Sequence, residues 1–192
     1  MRRSLIVISL AFISASVLAA TDHKSKYSGE ESRKIKSLSS DDVDELLNGG
    51  GWGFAKAAEL NGLPGPKHLL EMEDEINLSQ EQKAKIEELF REMKGQAIDL
   101  GQKLVDLESE LNSGFASNSI GEDDLAKLLN RIGEVRAKLR FVHLQAHLQT
   151  PEILSTEQRQ LYIELRGYSN DPCTNVPKGH DEAMWKKHNN CN

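Results

Sequence analysis

Residues 79–112, SQEQKAKIEELFREMKGQAIDLGQKLVDLESELN, place apolar side chains at Ile86, Phe90, Met93, Ala97, Leu100, Leu104, Leu107 and Leu111. Every step is three or four residues, the spacing that keeps one stripe on one face of an α-helix. The same spacing resumes at Leu125, Leu128, Ile132, Val135, Leu139, Val142 and Ala146. Between the two runs, residues 112–121 (NSGFASNSIG) are rich in turn formers and short enough to join antiparallel neighbours. The pattern predicts an all-α protein built on a long antiparallel helical hairpin, with short flanking helices bringing the total to four or five.

Both ends of the hairpin are marked. Ser79 followed by Gln82 is a capping-box pattern, in which hydroxyl and amide satisfy each other's backbone N–H groups. Pro151 forbids smooth continuation of the second long helix beyond Gln149-Thr150. Ser155 and Gln158 repeat the capping pattern, opening a helix that Gly167 ends.

The flanking segments differ in character. Arg2 and Arg3, the apolar run Leu5–Ile13 and the small residues through Ala20 read as a secretory signal over residues 1–20. The run is too short to span a bilayer comfortably, so the mature chain is expected to be exported without stable membrane insertion. Residues 21–51 are polar and glycine-stopped, and read as a disordered leader apart from one short helix at Asp41–Leu47 capped by Ser40. Residues 52–168 form the helical domain. Residues 169–192 read as a flexible tail holding Cys173, Cys191, His180 and His188.

Charge restricts the partners. The chain carries 24 Lys and Arg against 30 Asp and Glu, a formal net charge of -6. An acidic balance argues against nucleic acid, which needs clustered basic residues. Cations and basic or apolar protein surfaces remain.

Two groups of residues carry chemistry. His143 and His147 stand one turn apart, the spacing by which a helix offers two imidazoles to zinc, nickel or copper. Counting back from a turn centred near Ser117 places Glu87 and Glu88 within reach of them across the hairpin. The competing reading is a pair of histidines hydrogen-bonded to those glutamates with no ligand. Cys173 and Cys191 pair as a disulfide, as thiols in an oxidising compartment usually do, or join His180 and His188 in a loosely spaced metal site, or stay unpaired or pair between molecules. Among hydrolase and nucleotide-binding patterns, neither Gly-x-Ser-x-Gly, His-Glu-x-x-His nor a phosphate-cradling glycine loop occurs, and an enzyme is not expected.

Leu78-Ser79-x-x-Gln82 and Leu154-Ser155-x-x-Gln158 both fit Leu-[Ser/Thr]-x-x-Gln, each opening a helix on either side of the hairpin. This doubled signature resembles the periplasmic LTXXQ family, which includes Spy- and CpxP-like chaperones and CnrX- and ZraP-like heavy-metal sensor and resistance proteins. The resemblance implies a non-enzymatic periplasmic protein, a dimer of hooked hairpins. It would serve as a metal-binding or metal-sensing accessory to heavy-metal resistance and the envelope stress response. The alternatives are an ATP-independent chaperone that holds unfolded proteins, or a structural envelope protein without a ligand. An envelope signalling protein would be a further partner. Spy-type chaperones are basic on their cradle, and this acidic chain departs from them there.

Overall fold

Ser79 does cap the first long helix: its hydroxyl accepts from the Gln82 N–H, and Gln82 Oε1 accepts from the Ser79 N–H at 3.0 Å. The computed structural model describes residues 24–168, 172–173 and 176–191. The signal-peptide reading of residues 1–20 lies outside them. Residues 1–31 and 32–192 are separate units, and of the first the described part, residues 24–31, holds turns and the start of a short 3-10 segment. In the second unit the helices are α1 (Ser40–Leu47), α2 (Lys56–Glu59), α3 (Pro66–Glu71), α4 (Gln80–Ala116), α5 (Glu122–Gln149), α6 (Thr156–Leu165) and α7 (Glu182–His188). No strand occurs among the described residues. α4 and α5 form the hairpin, and their stripes meet through Met93, Ala97, Leu104, Leu107, Leu128, Ile132, Leu139, Val142 and Ala146.

The count exceeds four to five because the short helices are all separate and because α7 lies in the tail. Asp181 caps α7 by accepting from the Met184 N–H, a signal present in the sequence. α4 also continues through Ser113–Ala116, where glycine and serine were expected to break it. Ser113 and Ser117 turn their hydroxyls onto the carbonyls four residues back, and a Cβ at Gly114 would press on Ile120 at 3.1 Å, so this stretch needs a small residue rather than a turn.

The larger correction concerns residues 32–51, expected as part of a disordered leader. They pack against the hairpin. Ile35, Leu38 and Leu46 are buried in the same core as Ala97, Leu104 and Val105. Ser37 Oγ donates to Glu108 Oε2 at 2.7 Å, and Asn112 accepts from the Lys36 N–H while donating to the Lys34 carbonyl. Ser39, not Ser40, caps α1, in a reciprocal box with Asp42. Polar composition suggested disorder, yet three apolar anchors suffice when an ordered surface already exists to receive them. The receiving surface has a notch: a Cβ on Gly101 would lie 2.1 Å from the Leu46 carbonyl oxygen.

Two further segments lock the hairpin's open end. Gln82 Nε2 donates to Gln158 Oε1 at 2.8 Å, and Gln158 Nε2 returns a bond to Gln82 Oε1 at 3.0 Å. Gln82 Nε2 also reaches the Ile153 carbonyl and Gln158 Nε2 the Asn77 carbonyl. The two Leu-Ser-x-x-Gln segments are thus one interlocked unit, which requires amides that donate and accept at once. Behind it Leu69, Ile76, Ile86, Leu154 and Tyr162 form a second small core. In the tail, Cys173 and Cys191 form a disulfide across 18 residues, and Trp185 Nε1 donates to the Pro172 carbonyl. That pairing removes both sulfurs from the tail metal site weighed above.

Two substitution experiments test this packing. Gly95 has open space where a Cβ would stand, so Gly95→Ala should stabilise the protein by about 1 kcal/mol in urea unfolding, through helix propensity alone. Gly101→Ala should instead destabilise it, because the same propensity gain meets the Leu46 backbone. Gln82→Glu keeps the acceptor and loses the donor, leaving two oxygens facing each other, and should cost about 1–3 kcal/mol.

Candidate metal-binding cleft

His143 and His147 lie on the side of α5 that faces the short helices, one position round from Val142 and Ala146, which face α4. Both are buried, 4% and 7% exposed. They border a cleft of about 700 Å³ walled by the end of α1, the 49–53 loop, α2, the start of α3 and the α4 residues Phe90, Met93 and Lys94.

Each imidazole is held in a defined state. His147 Nδ1 donates to the Leu63 carbonyl at 2.7 Å, which puts the proton on Nδ1 and leaves the lone pair on Nε2. Its ring lies over Gly65, where a Cβ would come within 2.6 Å of Nε2. Leu63 and Gly65 are themselves positioned through Thr150, whose hydroxyl donates to the Pro64 carbonyl between them. His143 stacks on Phe54 at 6.4 Å between ring centres, and Phe54 meets Trp52 edge-on. Trp52 is fixed in turn by donating from Nε1 to Asp42 at 2.7 Å and by Arg136 over its ring. His143 Nε2 is buried with no hydrogen-bond partner among the described residues. Burial, and then the neighbouring His147, push the His143 pKa below its ordinary value, outweighing the Gly50 backbone and Glu45. The ring is therefore neutral at pH 7, the form that ligates metals.

The carboxylate at this site is Glu59 of α2, and it comes as a correction to Glu87 and Glu88. Those two are exposed on α4, and Glu88 pairs with Arg91 at 3.0 Å. The counting from Ser117 placed them opposite the histidines, but α4 runs on to Ala116 and the histidines turn toward α2 rather than α4. Glu59 is 9% exposed. Its Oε1 accepts from Tyr162 at 2.6 Å, from Tyr168 at 2.8 Å and from Arg166 at 2.9 Å. Its Oε2 is buried, without a hydrogen-bond partner, and 4.0 Å from His147 Nδ1. Burial alone would raise the Glu59 pKa; the two tyrosine hydroxyls and the Arg166 charge together reverse that and hold it below the ordinary carboxylate range. A lone acid in the run Ala57-Ala58-Glu59-Leu60 was the available signal, but its partners lie about a hundred residues away in sequence.

The donor types here are ones a divalent transition ion takes: imidazole nitrogen, a charged carboxylate, and two buried atoms, His143 Nε2 and Glu59 Oε2, with unused lone pairs. Among the described residues no three His, Cys, Asp or Glu side chains converge as a ready-made set. His143 Nε2 and Glu59 Oε2 are the two cleft atoms left without hydrogen bonds, while the Nε2 edge of His147 lies against Gly65.

Acid should unfold the protein in two stages. The His143 pKa is lower in the folded chain than the ~6.5 of a free histidine. Folding is thus progressively penalised as pH falls below that value, because the unfolded state takes up the proton first. Glu59, depressed below the usual carboxylate value, contributes stability above ~4.3 that is lost as pH falls through its folded pKa. Urea midpoints from pH 7.5 down to 3.5 should show both stages, with His143→Phe flattening the upper and Glu59→Gln the lower.

Comparison with known proteins agrees with this architecture. The family model described as heavy-metal resistance matches residues 48–160, more than half of the chain, from the cleft loop to the middle of α6. Both Leu-Ser-x-x-Gln segments and both cleft histidines fall inside the match. No curated protein and no solved structure matches the chain. The chain belongs to the heavy-metal resistance family, which comprises the CnrX-, ZraP- and Spy-like LTXXQ proteins.

Proposed function

We propose that this protein is an exported metal-binding accessory of heavy-metal resistance, which takes a divalent zinc, nickel or copper ion in the cleft between α2 and α5. The observation that carries this reading is the pair of buried, unpartnered donor atoms, His143 Nε2 and Glu59 Oε2, bordering one cleft beside the tautomer-fixed His147. Leaving buried polar atoms unbonded is costly, and sites that do so are candidates for a missing ion. The role proposed is binding, not catalysis. A periplasmic location accords with the N-terminal signal pattern and with the tail disulfide, and no helix among the described residues is long and apolar enough to cross a membrane.

Glu59 gives binding a route to the rest of the molecule. The carboxylate that would meet the ion through Oε2 is bonded through Oε1 to Tyr162 and Arg166 at α6 and to Tyr168 just beyond it. Any shift of Glu59 toward the ion would loosen the seating of α6, a change that a signalling partner could read. A second reading, the chaperone, draws on the exposed Phe115, Phe141 and Leu148. It leaves the orphaned donors unexplained.

Calorimetric titration of the metal-free chain with zinc, nickel and copper tests the proposal. Wild type should bind one equivalent of at least one ion at micromolar or better affinity. His143→Ala/His147→Ala should abolish that binding, Glu59→Gln should weaken it by about tenfold or more, and Glu87→Gln/Glu88→Gln should leave it unchanged. Affinity that survives the double histidine substitution would remove the cleft from consideration.

A further inference from the structure

The two orphaned donors border an open cleft yet are themselves closed to solvent. Nothing dissolved in that cleft touches His143 Nε2 until a neighbour moves. α4 and α5 are fixed by their shared core, and the neighbour with freedom to move is the turn that lays Phe54 on the His143 ring.

That turn is held in a conformation it does not favour. The Phe54 N–H donates to the Gly51 carbonyl at 2.8 Å, with Trp52 and Gly53 between them at φ 41° and 70°. Two positive φ values in succession make a turn that asparagine and glycine favour. A tryptophan there is strained, and persists only where its surroundings hold it. The flanking glycines leave room to swing: a Cβ on Gly51 would meet nothing within 4 Å, and one on Gly53 only the Lys56 side chain at 3.6 Å. One residue earlier the chain is pinned, because a Cβ on Gly50 would strike the Glu45 side chain at 2.4 Å.

Two helices hold the tryptophan in place. From α1, Glu45 accepts from its backbone N–H and Asp42 from its Nε1–H, each at 2.7 Å. From α5, Arg136 lays its guanidinium over both rings, 4.6 Å from the centre of Trp52 and 5.8 Å from that of Phe54. Arg136 stands two turns before His143, and so on the same side of α5. It is exposed, and among the described residues no carboxylate pairs with it. We propose that the Gly51–Phe54 turn is a gate over His143, and that Arg136 is the positioning residue that keeps it shut. Release of Arg136 lets the turn swing about Gly51 and Gly53 and bares Nε2 to the cleft. The gate rests on the geometry of the turn, whereas its part in ion uptake rests on the metal-binding reading above.

Carbethoxylation of the metal-free full chain by diethyl pyrocarbonate, followed histidine by histidine by mass spectrometry, tests the gate. Arg136→Gln should speed labelling of His143 by about threefold or more, the worth of one exposed cation–π contact. Arg136→Lys keeps a cation over the rings and should return the rate toward wild type. His147, equally buried but seated on Gly65 and not under the turn, should keep its rate. A His143 rate indifferent to Arg136→Gln, or His143 and His147 rising together as in general loosening, would overturn the gate. Stopped-flow mixing with zinc then tests uptake, on Trp185→Phe so that Trp52 is the sole tryptophan. The observed rate should level off as zinc rises, at a ceiling that Arg136→Gln lifts by the same factor. A rate proportional to zinc throughout and indifferent to Arg136→Gln would remove the gate from uptake. No zinc signal, with the labelling difference intact, would sink the metal reading and uphold the gate.

Discussion

The seam of α4 and α5 holds the hairpin out to Met93, Val142 and Ala146, and at its open end the reciprocal amide pair of Gln82 and Gln158 fastens α6 to α4. Each glutamine is already committed to a capping box at its own helix start, so the pair ties the first turn of α4 to the first turn of α6 with no slack. The consequences run onward. Seating α6 brings Tyr162 and Arg166 to Glu59, which anchors α2 against the open end of the hairpin. α2 and the loop after it close over His143 and His147 on α5. The cleft is a product of that closure.

The cleft is polar chemistry kept under tension between satisfied and unsatisfied groups. Glu59 Oε1 has three donors around it and its Oε2 none. His147 is bonded on one nitrogen, and His143 lies against aromatic carbon with its Nε2 orphaned. A protein that needed these residues only for stability would gain by pairing the idle atoms or replacing them with apolar groups. That the idle atoms border one cleft, in a member of the heavy-metal resistance family, is why a binding role accounts for them best.

Much of the fold was legible because it depends on local rules. The three/four spacing of α4 and α5, the Ser-x-x-Gln caps and the stop at Pro151 are decided by residues within a turn or two of one another. What could not be read depends on tertiary contact. Ile35, Leu38 and Leu46 are too sparse to announce a packed segment, and the notch at Gly101 that admits Leu46 looks, in sequence, like a weak point in a helix. The histidines were visible from their spacing, but their carboxylate was not. Choosing between Glu88 and Glu59 requires knowing that α4 outruns its serines and that α5 turns those two rings away from its hairpin partner. The amide pair was half visible: the two motifs stood out, their mutual contact did not.

The central claim is that His143 and His147 are metal ligands rather than buried spacers. X-ray absorption at the zinc edge, on the chain loaded with one equivalent of zinc, examines that claim without passing through stability or affinity. The account predicts nitrogen and oxygen neighbours with the outer-shell scattering of two imidazoles, reduced in His143→Ala. A spectrum of oxygen neighbours alone, with no imidazole scattering, would contradict it.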